Sequence, residues 1–318
     1  MHVAYVGNFE PPHSTENDVK SALERTGHSV TPLQEQLVDW SSVASQIASV
    51  EADLVLWTRT GSLDNADAAT QTAALRAIRE HIPVVGFHLD LFWGLKAHSD
   101  REQWVRTAPY FQETDVMFTA DGDHDEQWAD AGVDHVWLPP AIAGKNVEMV
   151  GRKNAQYRAD IGFVGSWRAY HKEWRHRKQL VSIVNNKYRS RFKYWEGHVR
   201  GQALADLYAT VPILIGDSCM LSGGNYWSDR IPETLGRGGF LLHPDTRGLR
   251  DHFPVGTLVT WPLGDFKELT DLIDYYLRQR DERLTIAAAG KQHVAQHHTY
   301  ERRVEQILEE VEQRVTTR

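Results

Sequence analysis

Short apolar runs alternate with amphipathic segments along this chain, beginning at its first residues. The runs "HVAYVGN", "DLVLWTR" (53–59) and "PVVGFHLD" (83–90) have the length and composition of buried strands. Residues 15–27 and 66–80 carry apolar side chains at helical spacing. Apolar strands that alternate with helices are typical of a parallel sheet covered on both faces. The pattern therefore predicts an α/β fold.

Three more strands complete the predicted first sheet: "HSVTPL" (28–33), residues 116–121 and residues 133–141. The alternation starts again after a polar link near residues 144–158. The predicted strands of this second half are residues 159–166, 192–197, 211–217, 238–244 and 256–261. Its predicted helices are residues 174–186, 201–208, 265–280, 282–297 and a last amphipathic helix from residue 300.

The repeated alternation predicts two Rossmann-like domains in tandem. We place them at residues 1–145 and 158–297, with residues 298–318 as a C-terminal helix. Ligands of such sheets bind beyond the carboxyl ends of the strands. Two sheets that face each other would therefore enclose a cleft for a ligand.

Composition is that of an ordinary globular protein, with 41% hydrophobic and 25% charged residues among 318. The single cysteine, Cys219, excludes an internal disulfide and fits a reducing compartment. The opening "MHVAYVGNFE" indicates a strand and loop rather than a signal peptide, and no apolar run reaches the length of a membrane span. These features predict a cytoplasmic protein.

The net charge of −8 is unevenly distributed along the chain. Residues 1–145 carry 22 acidic and 9 basic side chains, whereas residues 165–200 carry 10 Lys and Arg against Glu173 and Glu196. A basic run is usually a solvated face, but this one follows a strand that ends in glycine, where anions often bind. The acidic first half disfavours binding to duplex nucleic acid, which depends on neutralising phosphates.

One stretch, "SDRIPETLGRGGFLLHP" (228–244), combines a helix start, a carboxylate in the first turn and a glycine exit into a strand. It is followed by "GLRDHF", "ELTDLIDYYL", "ERLTIAAAGKQHV" and "HHTYERRVEQIL". In this order the runs resemble the C-terminal half of CgeB-like (spore-maturation-protein-type) glycosyltransferases, over about residues 159–311. "PVVGFHLD" and "FTADGDHDEQWADAGVDHVWLPPAI" are similar to the end of that family's acceptor domain, while similarity over residues 1–82 is weak.

The resemblance implies the GT-B fold: two Rossmann-like domains with parallel sheets facing across a cleft, and a C-terminal helix that packs back on the first domain. It also implies that Glu233 accepts hydrogen bonds from the ribose hydroxyls of a nucleotide-sugar donor, which suits a carboxylate because it only accepts. The alternative is that Glu233 is simply a carboxylate in the first turn of the helix, where the helix dipole favours negative charge. Arg230 would neutralise a phosphate or pair with Glu233 across one helical turn.

Other donor-binding residues are implied by position. Gly165 and Ser166 match the family's donor-phosphate loop, and Gly223 and Gly224 let the backbone approach the donor closely. Asn225 stands where many retaining relatives carry a second glutamate. One or two basic residues would stabilise the departing diphosphate, chosen from Arg168, His171, Lys172, Arg175 and Arg177.

Two groups of candidates lie in the first half. Asp90 follows a strand and is a candidate catalytic base for the acceptor hydroxyl, with His88 on the same face. Alternatively, Asp90 caps the next turn and His88 is a half-buried structural histidine. The acceptor-side candidates in the loop after the first strand are Gly7, Asn8, Glu10 and His13, with Ser14 or Thr15 capping the following helix.

The predicted function is transfer of a hexose or pentose from a nucleoside-diphosphate sugar, with UDP as the expected nucleotide, to an acceptor hydroxyl. The acceptor is a glycan, a small molecule or modified DNA, and no metal or resident cofactor is expected. "DGDHDEQ" (121–127) lacks the EF-hand pattern and indicates a turn and a helix cap, and no G-x-G-x-x-G follows the first strand. Two alternatives stay open: a phage-type DNA glycosyltransferase acting on a hydroxylated base, and a non-catalytic nucleotide-sugar binder. Either a monomer or a homodimer is compatible with the sequence.

Overall fold

The computed structural model describes residues 1–59, 67–93, 99–166, 175–197, 199–218 and 225–315. The chain forms two compact units. One unit spans Met1–Pro139 together with the C-terminal segment from Tyr300, and the other spans Pro140–Thr299.

The first unit is built on a parallel sheet. Its strands, in spatial order, are β2 (Ser29–Gln34), β1 (His2–Gly7), β3 (Leu54–Thr58), β4 (Val84–His88), β5 (Val116–Thr119) and β6 (His135–Trp137). Every residue of β3 and β5 is buried, as expected for strands covered on both faces. Aromatic side chains fill much of the core, where the rings of Trp40 and Trp57 stack with their centroids 4.9 Å apart.

Helices connect these strands. They are α1 (Thr15–Arg25), α2 (Val43–Ala48), α3 (Ala68–Arg79), α4 (Ser99–Thr107), α5 (Pro109–Gln112) and α6 (Asp125–Asp130). The predicted cap of α1 is confirmed, because the Ser14 hydroxyl accepts from the backbone N–H of Asn17 at 3.2 Å. The sequence pattern did not predict α2, which precedes β3, or α4 and α5, which both fall between β4 and β5.

The second unit has its own parallel sheet. Its strands, in spatial order, are β11 (Val259–Trp261), β10 (Leu241–Pro244), β9 (Ile213–Ile215), β7 (Ile161–Val164) and β8 (Phe192–Trp195). Its helices are α7 (Gly144–Val147), α8 (Arg175–Tyr188), α9 (Gly201–Thr210), α10 (Arg230–Gly236), α11 (Leu249–His252), α12 (Phe266–Arg278) and α13 (Arg280–His297). The short helices α7 and α11 were not predicted.

The polar segment expected to link the two domains is part of the second unit. Its backbone is tied to α9: the N–H of Arg152 donates to Asp206 at 2.9 Å, and the N–H of Asn154 donates to Thr210 at 2.9 Å. The chain therefore passes between the units at Pro139 and Pro140, ahead of the predicted link.

The last helix, α14 (Tyr300–Val315), belongs to the first unit, where it packs against α1. Arg314 forms an ion pair with Asp134 at 2.8 Å, and the buried Arg303 donates to the carbonyl of Pro139 at 2.8 Å. Across the described parts of the chain, no helix has both the length and the apolar character needed to cross a membrane.

Candidate functional site

The loop after β7 makes a close approach to an arginine. Gly165 has a φ of +147°, and a Cβ there would lie 2.4 Å from a guanidinium nitrogen of Arg230. Its N–H donates to the carbonyl of Trp195 at 3.0 Å, and its carbonyl accepts from the Tyr194 hydroxyl at 2.6 Å. Glycine is thus required at this strand end, and the next residue, Ser166, is exposed.

Arg230 bridges the ends of two strands. Its Nε donates to the carbonyl of Val164 at 3.0 Å, and its Nη1 donates to the carbonyl of Asp217 at 2.6 Å. The guanidinium also lies 4.9 Å from the centre of the Phe163 ring. The predicted alternative of an ion pair between Arg230 and Glu233 is wrong, because the guanidinium is turned toward these backbone carbonyls. Arg230 therefore stays at the carboxyl edge of the sheet.

Glu233 lies in the first turn of α10 with 19% of its side chain exposed. Its carboxylate pairs with the guanidinium of Arg237, one turn further along the helix, whose side chain is buried. The cap position, Asp229, makes no side-chain hydrogen bond to the helix. Glu233 is thus a partly accessible acceptor whose orientation is set by a buried cation.

Asp217 is a buried carboxylate just beyond β9 and was not predicted as a site residue. Its Oδ2 accepts from Arg177 Nε at 3.0 Å, and its Oδ1 lies 3.4 Å from the His176 ring. Burial alone would raise the pKa of Asp217, but the contact with His176 and the charges of Arg177 and Arg230 outweigh it and lower the pKa. Asp217 is therefore ionised beside the buried Arg177 and the partly buried Arg230.

Arg177, one of the five predicted basic candidates, connects this carboxylate to the loop after β7. The side chain is buried, and its Nη1 donates to the carbonyl of Ser166 at 3.0 Å. Nearby, burial lowers the pKa of His243 to about 4, so this ring is neutral. The carboxyl edge of the second sheet therefore combines fixed backbone with positive charge.

Two of the remaining donor-side candidates, Asn225 and Arg175, lie within the described residues. Asn225 Nδ2 lies 3.3 Å from His252 Nε2, and a Cβ on Gly248 would lie 2.2 Å from the Asn225 side-chain oxygen, so Asn225 is held against the turn that opens α11. Arg175 begins α8, and its side chain is not described. The candidates that lie outside the described residues are Arg168, His171, Lys172, Gly223 and Gly224.

Asp90 and His88 lie at the carboxyl end of β4 in the first unit. The N–H of Asp90 donates to His88 Nδ1 at 3.2 Å, and Asp90 Oδ2 lies 3.4 Å from Arg101 Nη2. Burial lowers the pKa of His88, with Asp90 opposing that shift. The Asp90 side chain is 47% exposed, so its carboxylate is accessible to a ligand.

A second carboxyl group, Asp121, lies beside this loop and was not predicted as a site residue. Asp121 follows β5 and is fully buried, and its Oδ2 accepts from the N–H of Phe92 at 2.7 Å. Burial raises the pKa of Asp121 to about 8. The predicted turn is present and α6 follows it, but the predicted helix cap is wrong, because the side chain at the cap position, His124, makes no capping hydrogen bond. The sequence also did not indicate that Asp121 points inward.

The loop after β1 holds the acceptor-side candidates. Gly7 allows α1 to pack closely, because a Cβ there would lie 2.7 Å from Glu16 Cγ. Asn8 accepts from Gln34 Nε2 at 3.0 Å, while Glu10 and His13 are exposed. Within the described ranges, no group of three or more His, Cys, Asp or Glu side chains is arranged to hold a metal ion.

Several solved structures share this fold. HepE from Anabaena, solved with UDP and glucose, has a TM-score of 0.64 at 12% identity, covering 98% of this chain and 100% of HepE. Sucrose-phosphate synthase from Thermosynechococcus elongatus has a TM-score of 0.64 at 11% identity over 100% of both chains. An α-glucosyltransferase, solved with UDP-glucose and DNA containing an abasic site, has a TM-score of 0.64 at 11% identity over 94% of this chain and 95% of its own.

Sequence comparison places the chain in a family. No protein with a curated description matches it significantly. The family described as glycosyl transferase-like matches residues 147–309, which is more than half of the chain and includes Gly165, Arg230 and Glu233. The chain therefore belongs to the glycosyl transferase-like family and is a glycosyltransferase with the GT-B fold.

Proposed function

We propose that this glycosyltransferase takes its sugar from a UDP-sugar and transfers it to an acceptor hydroxyl without a metal ion, as a CgeB-like member of its family. The observation that carries the proposal is the contact between Gly165 and Arg230 at the carboxyl edge of the second sheet, with Glu233 in the first turn of the helix that Arg230 begins, all inside the region that matches the family. UDP is favoured because HepE was solved with UDP-glucose, as was the α-glucosyltransferase.

Glu233 is the proposed ligand of the ribose. An ionised carboxylate accepts hydrogen bonds from two vicinal hydroxyls at once, and Arg237 already holds this one in a single orientation. Ser166 would offer its backbone N–H and hydroxyl to the diphosphate, and Gly165 would let the diphosphate come close, with Arg230 behind the loop. Asn225, held by His252, would contact the sugar.

The transfer breaks the bond between the anomeric carbon and the diphosphate, and the electron pair leaves with UDP. Fixed positive charge near the leaving diphosphate stabilises the developing charge without a metal ion. We assign this role to Arg230, which lies at the carboxyl edge of the sheet, and Arg177 would support it by holding the Ser166 carbonyl.

Asp90 is the proposed base for the acceptor. Its carboxylate would take the hydroxyl proton as the acceptor oxygen bonds to the anomeric carbon. Its half-exposed side chain leaves room for that approach, and its contact with Arg101 restrains its orientation. In-line attack assisted by Asp90 inverts the anomeric configuration, and a role limited to orienting the acceptor would allow retention.

DNA with a hydroxylated base is a second candidate acceptor, favoured by the fold shared with the α-glucosyltransferase that was solved with DNA. The 22 acidic and 9 basic residues of the first 145 oppose it, because binding to DNA depends on neutralising phosphates. Acceptor trials with glycans and with hydroxylated DNA separate the two candidates.

Thermal unfolding with UDP-, GDP-, ADP- and dTDP-sugars tests the donor site. A donor at about 100 times its Kd adds about 2.7 kcal/mol to the free energy of unfolding. We expect a shift with UDP-sugars that is lost in Glu233→Ala. The matched control is Asp271→Ala, which removes an exposed carboxylate from a similar pair, with Lys267 one turn away in α12.

Two results would contradict the proposal. A shift that survives in Glu233→Ala would remove Glu233 from the donor site, and the absence of a shift with every nucleotide would remove the site itself. Release of UDP from the bound donor, with water or an added acceptor, then distinguishes an enzyme from a non-catalytic binder.

A further inference from the structure

Asp121 lies beneath the loop that follows β4, and the mechanism proposed above does not use it. The residue comes just after Thr119, the last residue of β5, and its side chain is completely buried. A buried carboxyl group loses its hydration, so it persists at low cost only where hydrogen bonds replace the lost water. The identity of its partners therefore indicates what the group does.

Those partners are backbone amides of one loop. Oδ2 of Asp121 accepts from the N–H of Phe92 at 2.7 Å and lies 3.4 Å from the N–H of Trp93. Both aromatic side chains are buried, so this loop is fixed by packing and by one carboxyl group. The N–H of Asp121 itself donates to the Thr119 hydroxyl at 3.1 Å, which restrains the carboxyl group in turn.

The loop carries the proposed base. Asp90 precedes Phe92 by two residues, and its own N–H is held by His88. Arg101 donates to the carbonyl of Leu91 and contacts the Asp90 carboxylate. His88 and Arg101 thus hold the beginning of the loop, while Asp121 holds residues 92–93.

We propose that Asp121 is a positioning residue, which holds the backbone of residues 92–93 so that the Asp90 carboxylate stays where the acceptor hydroxyl reacts. This inference rests on the proposed role of Asp90. A displacement of about 1 Å in a reacting group can lower a rate about 100-fold, so a single anchor of this loop has a measurable effect.

The chain supplies a matched control for Asp121. Asp115 is also buried and accepts from a backbone N–H, that of Val84, at 2.7 Å. It precedes β5, however, and so holds the amino end of β4, away from Asp90. Both aspartates accept from a backbone N–H, at opposite ends of the same strands, and Asp115 also pairs with Arg79 at 2.7 Å.

The test compares Asp121→Ala, Asp121→Asn and Asp115→Ala in the full chain, using the UDP-sugar that stabilises the unaltered protein. Three quantities are measured: hydrogen exchange at the amides of residues 92 and 93, the Kd of the donor, and kcat for hydrolysis of the donor. In this hydrolysis water is the acceptor of the sugar and UDP is released. For Asp121→Ala we expect faster exchange, unchanged Kd and a kcat about 100-fold lower. Asp121→Asn keeps an acceptor oxygen and should restore both exchange and kcat.

Asp115→Ala should leave exchange at residues 92 and 93 and kcat unchanged, although it lowers the melting temperature. If Asp121→Ala does not fold, Asp121→Leu, which has a similar volume and no acceptor, takes its place. A normal kcat in a folded Asp121 variant, or an equal loss in Asp115→Ala, overturns the inference. If the unaltered protein binds no UDP-sugar, the comparison of variants cannot begin. That result overturns the proposed function together with this inference.

Discussion

The two sheets hold the loops at their carboxyl ends by opposite chemistry. In the first unit, a carboxyl group, Asp121, accepts from the backbone amides of residues 92–93. In the second, Arg230 and Arg177 donate to backbone carbonyls at the ends of β7 and β9, with Asp217 as their counter-ion. The first edge presents a half-exposed carboxylate, which suits the proposed activation of the acceptor, and the second presents positive charge, which suits the proposed departure of the diphosphate.

Asp121 and Asp217 show what sets the charge state of a buried carboxyl group. Both are completely buried, and burial is the largest influence on the pKa of each. The pKa of Asp121 is nevertheless raised to about 8, whereas that of Asp217 is lowered. Arg177 touches Asp217 directly, whereas Asp121 has backbone amides as its partners, so the neighbouring cations decide which form is stable.

The largest expected effect concerns Asp121 and pH. Below about pH 4 the carboxyl group is neutral in the folded and the unfolded chain. Between pH 4 and pH 8 the unfolded chain releases the proton while the folded chain retains it, so the folded state loses about 1.4 kcal/mol of stability per pH unit from this group. Relative to Asp121→Asn, the unaltered protein should therefore become steadily less stable over this range and level off above it.

Urea unfolding of both proteins at each pH measures this difference. The charges of Arg101 and Asp90 act on the pKa of this group and are unchanged in the variant, so their own effects largely cancel. If the difference in free energy of unfolding between the two proteins does not change from pH 4 to pH 8, the contrast between Asp121 and Asp217 is wrong. Asp121 would then be ionised in the folded protein, as Asp217 is.

Removal of the counter-ion in the second unit has the next largest effect. Asp217→Asn leaves the buried Arg177 without a compensating charge, which typically costs about 3–5 kcal/mol. Asp160→Asn is the matched control, since its pair with Arg191 is exposed and such pairs contribute about 0–1 kcal/mol. The free energy of unfolding of each variant is measured with urea. Equal losses in the two variants would show that the pair of Asp217 and Arg177 contributes no more than an exposed ion pair.

The smallest effect is expected from Arg230→Lys. An ammonium group cannot hold the carbonyls of Val164 and Asp217 together as the planar guanidinium does. We expect donor affinity to fall about tenfold, which corresponds to about 1.4 kcal/mol, as measured by calorimetric titration. Arg191→Lys, at an exposed site of the same unit, should bind the donor normally. Unchanged affinity in Arg230→Lys would remove Arg230 from the donor site.

The sequence predicted the two parallel sheets because the strands are short, apolar and separated by helices. It also predicted the Ser14 cap, which depends on residues adjacent in the chain. It did not identify Asp121 or Asp217, because their partners lie 29 and 40 residues away, and one partner is a backbone amide that carries no signature in the sequence. Arg177 was one of five basic candidates, and only its burial against Asp217 separates it from a surface charge.

The position of α14 has a consequence for how the chain is made. Because this helix follows the whole second unit in sequence but packs against α1, a ribosome completes the second unit before it supplies the last piece of the first. The nascent first unit therefore emerges with the α14 face of α1 uncovered for as long as translation of some 160 residues takes, about 8–30 s at typical rates. Chaperones that bind exposed apolar surface have that interval in which to engage it.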